Sequence, residues 1–169
     1  MFHSLNFEAE NEQNAIFMNL MGEYECRIDP KGRLRLPSDL LNKIGEREGL
    51  SFVMNRGFEN CLTLYPKQVW DRISHEVNSL NQFVKKNREF ARYFLRGATP
   101  LELDAADRIL LPKRLQEWAG IDKDVVLSAI NDRIEIWSKD QYDQLLGEEP
   151  DDFSDLAEEV LGNVSPDNE

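Results

Sequence analysis

Two stretches of this chain place an aspartate four residues before an arginine: Asp29 before Arg33, and Asp104 before Arg108. At that spacing, across a tight turn, a carboxylate and a guanidinium can do one of two things. They can simply pair, and an exposed pair contributes about 0–1 kcal/mol of stability and no chemistry. Alternatively, the carboxylate can orient the guanidinium toward a polyanion, because the planar fork of Arg makes paired contacts to phosphate or to the O6 and N7 edge of guanine. In that second reading the first turn displays Arg33 beside Lys31 and Arg35. Phosphate repels a carboxylate, so Asp29 and Asp104 are then supports and not contacts. Spacing alone leaves both readings open.

The two stretches belong to a longer repeat. Asp29-Pro-Lys-Gly-Arg33-Leu-Arg-Leu-Pro37 recurs as Asp104-Ala-Ala-Asp-Arg108-Ile-Leu-Leu-Pro112, an offset of 75 (29 to 104) that also carries Leu40 onto Leu115 and Gly45 onto Gly120. After a three-residue deletion the offset is 72 (62 to 134). There Leu62-Thr-Leu64-Tyr65 maps onto Ile134-Glu-Ile136-Trp137, and Trp70 onto Tyr142. A duplicated unit of about 45 residues results.

The elements that must position the two turns read alike in each copy. In the first, a strand at 24–28 leads into Asp29-Pro30-Lys31-Gly32, which has the composition of a type I turn. A returning strand at 33–36 follows. Pro37 opens a short helix that Gly45 closes. Strands at 51–54 and 61–65 come next, and then a helix to about residue 80. The second copy predicts strands at 99–103 and 108–111, a helix at 112–119, strands at 125–129 and 133–137 joined by Asn131-Asp132, and a helix at 139–146. Between the copies, residues 81–95 form a predicted helix. Phe83, Phe90 and Phe94 share one face of it, expected to be core or subunit interface. Arg88, Arg92 and Arg96 recur on another, which reads as a solvated face, a subunit contact or an auxiliary phosphate surface.

A unit this small buries too little surface to be stable alone. Two of them can interleave their hairpins around one core, which makes the chain a covalent pseudo-dimer with the two turns at equivalent positions. The expected organisation is an acidic extension at 1–20, a repeat at 23–69, a helical connector at 70–97, a second repeat at 98–141, and a helix end with an acidic, disordered tail at 142–169. A helical turn is allowed around 153–161.

The net charge of −12 argues against a nucleic-acid partner only until its distribution is considered. Residues 1–20 and 147–169 hold twelve acids and no Lys or Arg, which leaves 20 acids against 20 bases between them. The body is neutral and the ends are acidic. No apolar run reaches the 18 residues of a membrane span. The N-terminus carries acids where a secretory signal carries bases, so a cytoplasmic location is expected. Cys26 and Cys61 lack metal-site spacing and read as small buried residues, and His3 and His75 are too scattered for a site. Trp70, Trp118 and Trp137 read as packing residues.

The doubled Asp-x-x-Gly-Arg-like turn, each copy followed by an apolar strand and Pro, with Phe94-Leu95-Arg96-Gly97-Ala98 leading into the second, resembles the MraZ family from Met21 to about Leu146. These are bacterial transcriptional regulators. The resemblance implies an α+β, mostly β fold: tandem AbrB-like swapped-hairpin repeats of double-psi barrel type, forming an intrachain pseudo-dimer with short flanking helices. It implies DNA contact at Arg33 and Arg108, with Lys31 and Arg35 on phosphates and with Asp29, Gly32 and Asp104 supporting the turns. The partners it implies are double-stranded promoter DNA near the division and cell-wall gene cluster, and further copies of the chain in a ring associated with the nucleoid. No cofactor, metal, membrane or small-molecule substrate is expected.

Two departures from the family pattern qualify this. Asp107 stands where the family has Gly, at some steric cost in a left-handed conformation and with an added negative charge. The second turn is therefore expected to bind DNA less well or to serve structure. Family chains also tend to begin near Met18 or Met21, which leaves residues 1–17 as an acidic arm or a translated upstream segment. A different function, an oligomeric interaction module of antitoxin type, would use the same body. An enzyme is least supported, because no phosphate loop, nucleophile-base set or metal-ligand cluster is evident.

Overall fold

A computed structural model describes residues 18–147 and 150–162. Residues 1–17 of the expected acidic extension and residues 148–149 and 163–169 of the expected tail lie outside them. The first repeat contributes β1 (Leu20–Arg27), β2 (Arg33–Arg35), α1 (Ser38–Ile44), β3 (Ser51–Arg56), β4 (Leu62–Pro66) and α2 (Lys67–Asn78). The connecting helix is α3 (Lys85–Leu95), and the second repeat contributes β5 (Thr99–Glu102), β6 (Arg108–Leu110), α4 (Lys113–Trp118), β7 (Asp124–Asn131), β8 (Arg133–Ser138) and α5 (Lys139–Gly147). The chain divides into a unit ending at Lys139, which holds all eight strands, and a second unit beginning at Asp140.

In the second unit, α6 (Phe153–Leu161) is a nine-residue helix where the composition suggested at most a turn. Asp152 caps it by accepting from the Asp155 N–H. Phe153, Leu156, Val160 and Leu161 line one exposed side of it.

The strands interleave as the repeat and the small size of each unit require. Six antiparallel strands run in the order β1-β7-β8-β4-β3-β5, and β2 pairs with β6 as a separate ribbon. The first strand of each repeat thus lies against the third strand of the other. Registers obey a two-fold relation. Leu34 faces Ile109 at the centre of the ribbon, and Thr63 faces Glu135 where β4 meets β8, so equivalent residues oppose each other at both places.

Register also resolves where the three-residue deletion falls. Val53 opposes Tyr65 just as Val126 opposes Trp137, so β3 maps onto β7 at an offset of 73 (53 to 126). Two residues are therefore missing before β7 and one within the β7–β8 hairpin. There Asn131 takes a φ of +55° in the tight connection.

One apolar core draws on both repeats. It includes Leu34, Leu36, Leu40, Phe52, Met54 and Leu64 from the first, and Ile109, Leu115, Leu127, Ile134 and Ile136 from the second. β4 is buried along its whole length, with α2 packed on β3 and β4. β1 and β5 end the sheet and are largely exposed. Such an edge accommodates Pro100, which has no N–H to offer a neighbour.

β1 begins at Leu20, inside the stretch assigned to the extension, because Leu20 is itself a core residue. The connecting helix begins at Lys85, four residues later than its periodicity suggested, and only Ala91 of it is buried. Phe83 and Phe90 are therefore not core in the single chain. Phe94 stacks between Trp70 and Phe90 and also meets Phe58, an aromatic cluster that opens to solvent.

Candidate functional site

The two turns are built the same way, bond for bond. The Asp29 Oδ1 accepts from the N–H groups of Lys31 (3.0 Å) and Arg33 (2.8 Å), while Oδ2 accepts from Arg33 Nε at 2.6 Å. In the second turn, Asp104 Oδ1 accepts from the N–H groups of Ala106 (2.8 Å) and Arg108 (2.9 Å), and Oδ2 from Arg108 Nε at 2.8 Å. The backbone closes each turn by donation from Gly32 N to Asp29 O (2.9 Å), and from Asp107 N to Asp104 O (3.1 Å). Short polar side chains that satisfy nearby N–H groups in this way fix a turn locally.

The pairing that the spacing allows is formed in both turns. The carboxylate pairs with its arginine, and by using only Nε it leaves both terminal guanidinium nitrogens without a partner among the described residues. The side chains of Arg33 and Arg108 are about one-third exposed, at 33% and 31%. The clamp fixes the direction of both guanidinium groups.

The same hydrogen bonds hold both carboxyls below the ordinary aspartate value of 3.8. The leading cause is the Arg33 N–H for Asp29 and the Arg108 N–H for Asp104. Because the folded value is depressed, the stabilisation is fully present above the unfolded value and is lost as pH falls through the folded one. Carbon-detected NMR titration should find both carboxylates with protonation midpoints below that of an ordinary aspartate. An ordinary carboxyl midpoint for either would mean that its clamp is not formed in solution.

The structure shows how the second turn accommodates Asp107. Asp107 adopts a φ of +59°, in the same left-handed region as Gly32 at +83°, which Asp tolerates better than most residues. The position is held from the other repeat. Asp107 O accepts from Leu36 N, as Gly32 O accepts from Leu111 N, each at 2.9 Å. Its negative charge is also countered, because Arg47 Nε donates to Asp107 Oδ1 at 3.1 Å. Arg47 sits in the α1–β3 connection, where the first repeat is two residues longer. At Gly32, by contrast, an added Cβ would lie 2.9 Å from Gln116 Nε2, which donates to Leu111 O.

All seven predicted residues gather on the ribbon and its two turns. Leu34 and Ile109 face the core, and Arg33, Arg35, Arg108 and Leu110 lie on the other face, with Arg35 opposite Arg108 and Arg33 opposite Leu110. Lys31 is exposed at the tip of the first turn, where the second has Ala106. Sequence reasoning missed Arg47, Gln116 and Lys113 beside the turns. Arg47 reaches Asp107 from 60 residues away and Gln116 comes against Gly32 from the other repeat, so no local spacing marks them.

Away from the ribbon, Glu59, Cys61 and Glu135 bring their side-chain donor atoms within 4.8 Å of one another. The Cys61 Sγ lies 3.5 Å from Glu135 Oε2. Burial, then the Glu135 carboxylate, raises the thiol far above its ordinary value, so Cys61 stays a protonated thiol. No helix among the described residues is long and apolar enough to cross a membrane.

The chain is similar in sequence to known proteins over most of its length. Residues 19–93 and 94–164 each match the family model described as "MraZ protein, putative antitoxin-like". A protein of Christiangramia forsetii named "Transcriptional regulator MraZ" is 47% identical over 147 residues, covering 86% of this chain and 95% of its own. Proteins of the same name from Flavobacterium psychrophilum (45% over 149 residues; 88% and 95%) and Moorella thermoacetica (40% over 141 residues; 83% and 96%) are similar over nearly the same span.

Proposed function

The chain belongs to the MraZ family, and from that premise we propose that it is a DNA-binding transcriptional regulator that reads duplex DNA through the β2–β6 ribbon. The observation that carries this reading is the pair of Asp-clamped arginines. Arg33 and Arg108 lie on one exposed ribbon with their terminal nitrogens unpartnered and pre-aimed. Such an arrangement lowers the ordering cost of a bidentate contact to a base edge or a phosphate. Lys31 and Arg35 add phosphate contacts beside the first turn, while Asp29, Gly32 and Asp104 hold the turns and touch no DNA. The protein needs no cofactor and performs no reaction in this role.

The family resemblance extends the proposal to repeated sites upstream of the division and cell-wall gene cluster, met by a ring of subunits in the cytoplasm at the nucleoid. A single ribbon binds weakly. Several ribbons in one ring meeting several spaced sites gain effective concentration, and avidity rises by orders of magnitude. The exposed aromatics Phe58, Phe83, Phe90 and Tyr93 favour contact with another protein surface, a further copy of the chain or the partner of an antitoxin-like module.

The test is fluorescence anisotropy with the DNA upstream of the protein's own gene across a salt series. Affinity is expected to fall linearly on a log–log plot as salt rises, because phosphate contacts release counterions. Salt-independent affinity, or equal affinity for a scrambled duplex, would overturn the reading. Light scattering on the same sample reads the number of subunits.

A further inference from the structure

The arginines at the ribbon are shared by the two repeats, but the cations around them are not. Beside the first turn runs a groove of about 1030 Å³ whose walls set Arg27, Lys31, Lys113 and Lys123 against Asp29 and Asp122. A second hollow of about 670 Å³ adjoins it, bordered by Arg56, Arg96, Lys113 and Arg114 against the single acid Glu117. Thr99, Pro112 and Lys113 border both hollows, so they form one continuous path along α4.

The charge along this path is cancelled only in part within the protein, by the Arg27–Asp124 pair and by Asp29 and Asp122 in the groove wall. No ion pair engages Lys31, Lys113, Arg114 or Arg96 among the described residues. Arg56 is held by a ring and not by an acid: its guanidinium carbon sits 5.4 Å from the centre of the Trp118 ring. Its buried Nε has no hydrogen-bond partner. On a chain of net charge −12, such a strip is a local positive field.

The two-fold relation supplies the comparison. At the 75-residue offset, Lys31, Arg35, Lys113, Arg114 and Arg96 correspond to Ala106, Leu110, Ser38, Asp39 and Met21; at the β3–β7 offset of 73, Arg56 corresponds to Ala129. Each cation meets an uncharged or acidic residue. The flank of the second turn therefore lacks the strip altogether.

We propose that this strip is a backbone-phosphate track that continues the duplex from the first turn along α4, with no counterpart beside the second turn, so that each subunit holds DNA in one orientation. This rests on the reading of the ribbon as the DNA interface. The shared arginines read the site, and the unshared cations give the complex a direction. In a closed ring, every subunit then presents the duplex with the same polarity.

The experiment compares two surface double variants of the full chain, Lys113→Ala/Arg114→Ala and Ser38→Ala/Asp39→Ala, with unchanged melting curves as the check on folding. The first is expected to lower the slope of log affinity against log salt by about two, since each phosphate left without its cation reduces the slope by near 0.9. It should do so equally for the specific and a scrambled duplex. The second pair should leave the slope unaltered. An unchanged slope in the first variant, or equal changes in both, would overturn the track. Loss of inorganic-phosphate binding with no change in DNA slope would also overturn it, marking the cleft as a small-anion site. An Arg33→Ala/Arg108→Ala variant run in parallel separates the two ideas: full DNA binding there would refute the ribbon as interface, whatever the α4 variants do.

Discussion

Replacing Arg33 and Arg108 together with Ala is expected to remove sequence-specific DNA binding while leaving the fold intact. A bidentate contact to a base pair contributes about 1–3 kcal/mol of discrimination, and every 1.4 kcal/mol is tenfold in affinity. Each single substitution should therefore weaken specific binding by roughly tenfold to a hundredfold. The double variant compounds the loss across every subunit that meets a site.

The singles should differ in kind. After Arg33→Ala, the proposed phosphate contacts of Lys31 and Arg35 remain at the first turn, so non-specific affinity is expected to persist. After Arg108→Ala the second turn keeps no cation of its own. Arg33→Lys should not restore the wild type, because a point charge cannot reproduce the fork that Asp29 orients through Nε. Both side chains are about one-third exposed, and an ion pair of that kind adds little to stability, so thermal melting should barely move. Anisotropy against specific and scrambled duplexes reads the result, and a double variant that still discriminates between them would contradict the proposed role.

The largest stability effect is expected at the centre of the ribbon. Leu34 and Ile109 are fully buried and face each other across the two-fold relation. Cutting Leu34 to Ala removes about 2–5 kcal/mol, counting both the forfeited transfer energy and the cavity left behind. That is a large share of the 5–15 kcal/mol typical of a whole domain. Because the core draws on both repeats, the destabilisation should not stay in the first one. Urea unfolding should remain a single transition with a lower midpoint and the same slope, and Ile109→Ala should lower it comparably. Two separate transitions, with only one moved by Leu34→Ala, would show that the repeats fold independently.

The turns were the most legible part of the molecule. Asp29-Pro-Lys-Gly-Arg33 fixes its own geometry through bonds between residues at most four apart, so residue type and spacing carry nearly all the information. The interleaving followed less directly, from duplication together with a unit too small to stand alone. What could not be read depends on contacts between distant segments. The Arg47–Asp107 pair joins residues 60 apart, and nothing local to either announces it. The division of the deletion was hidden because β3 and β7 share little sequence, and only strand register reveals it. The connecting helix shows the opposite limit. Its aromatic periodicity is plain, but periodicity says only that a face is apolar, and in the single chain Phe83 and Phe90 stay exposed.

The exchange of first strands has a consequence in time. Arg27 of β1 pairs with Asp124 of β7, 97 residues later in the chain. A ribosome adding about 5–20 residues per second therefore delivers β1 roughly 5–20 s before its partner strand exists. During that interval β1 is an open template for any strand from another nascent chain. Its alternation suits the wait: Glu23, Glu25 and Arg27 are exposed charges along it, and charged positions on an open strand disfavour illicit pairing. The acids of β1 thus guard the nascent chain during synthesis, before they have any place in the finished sheet.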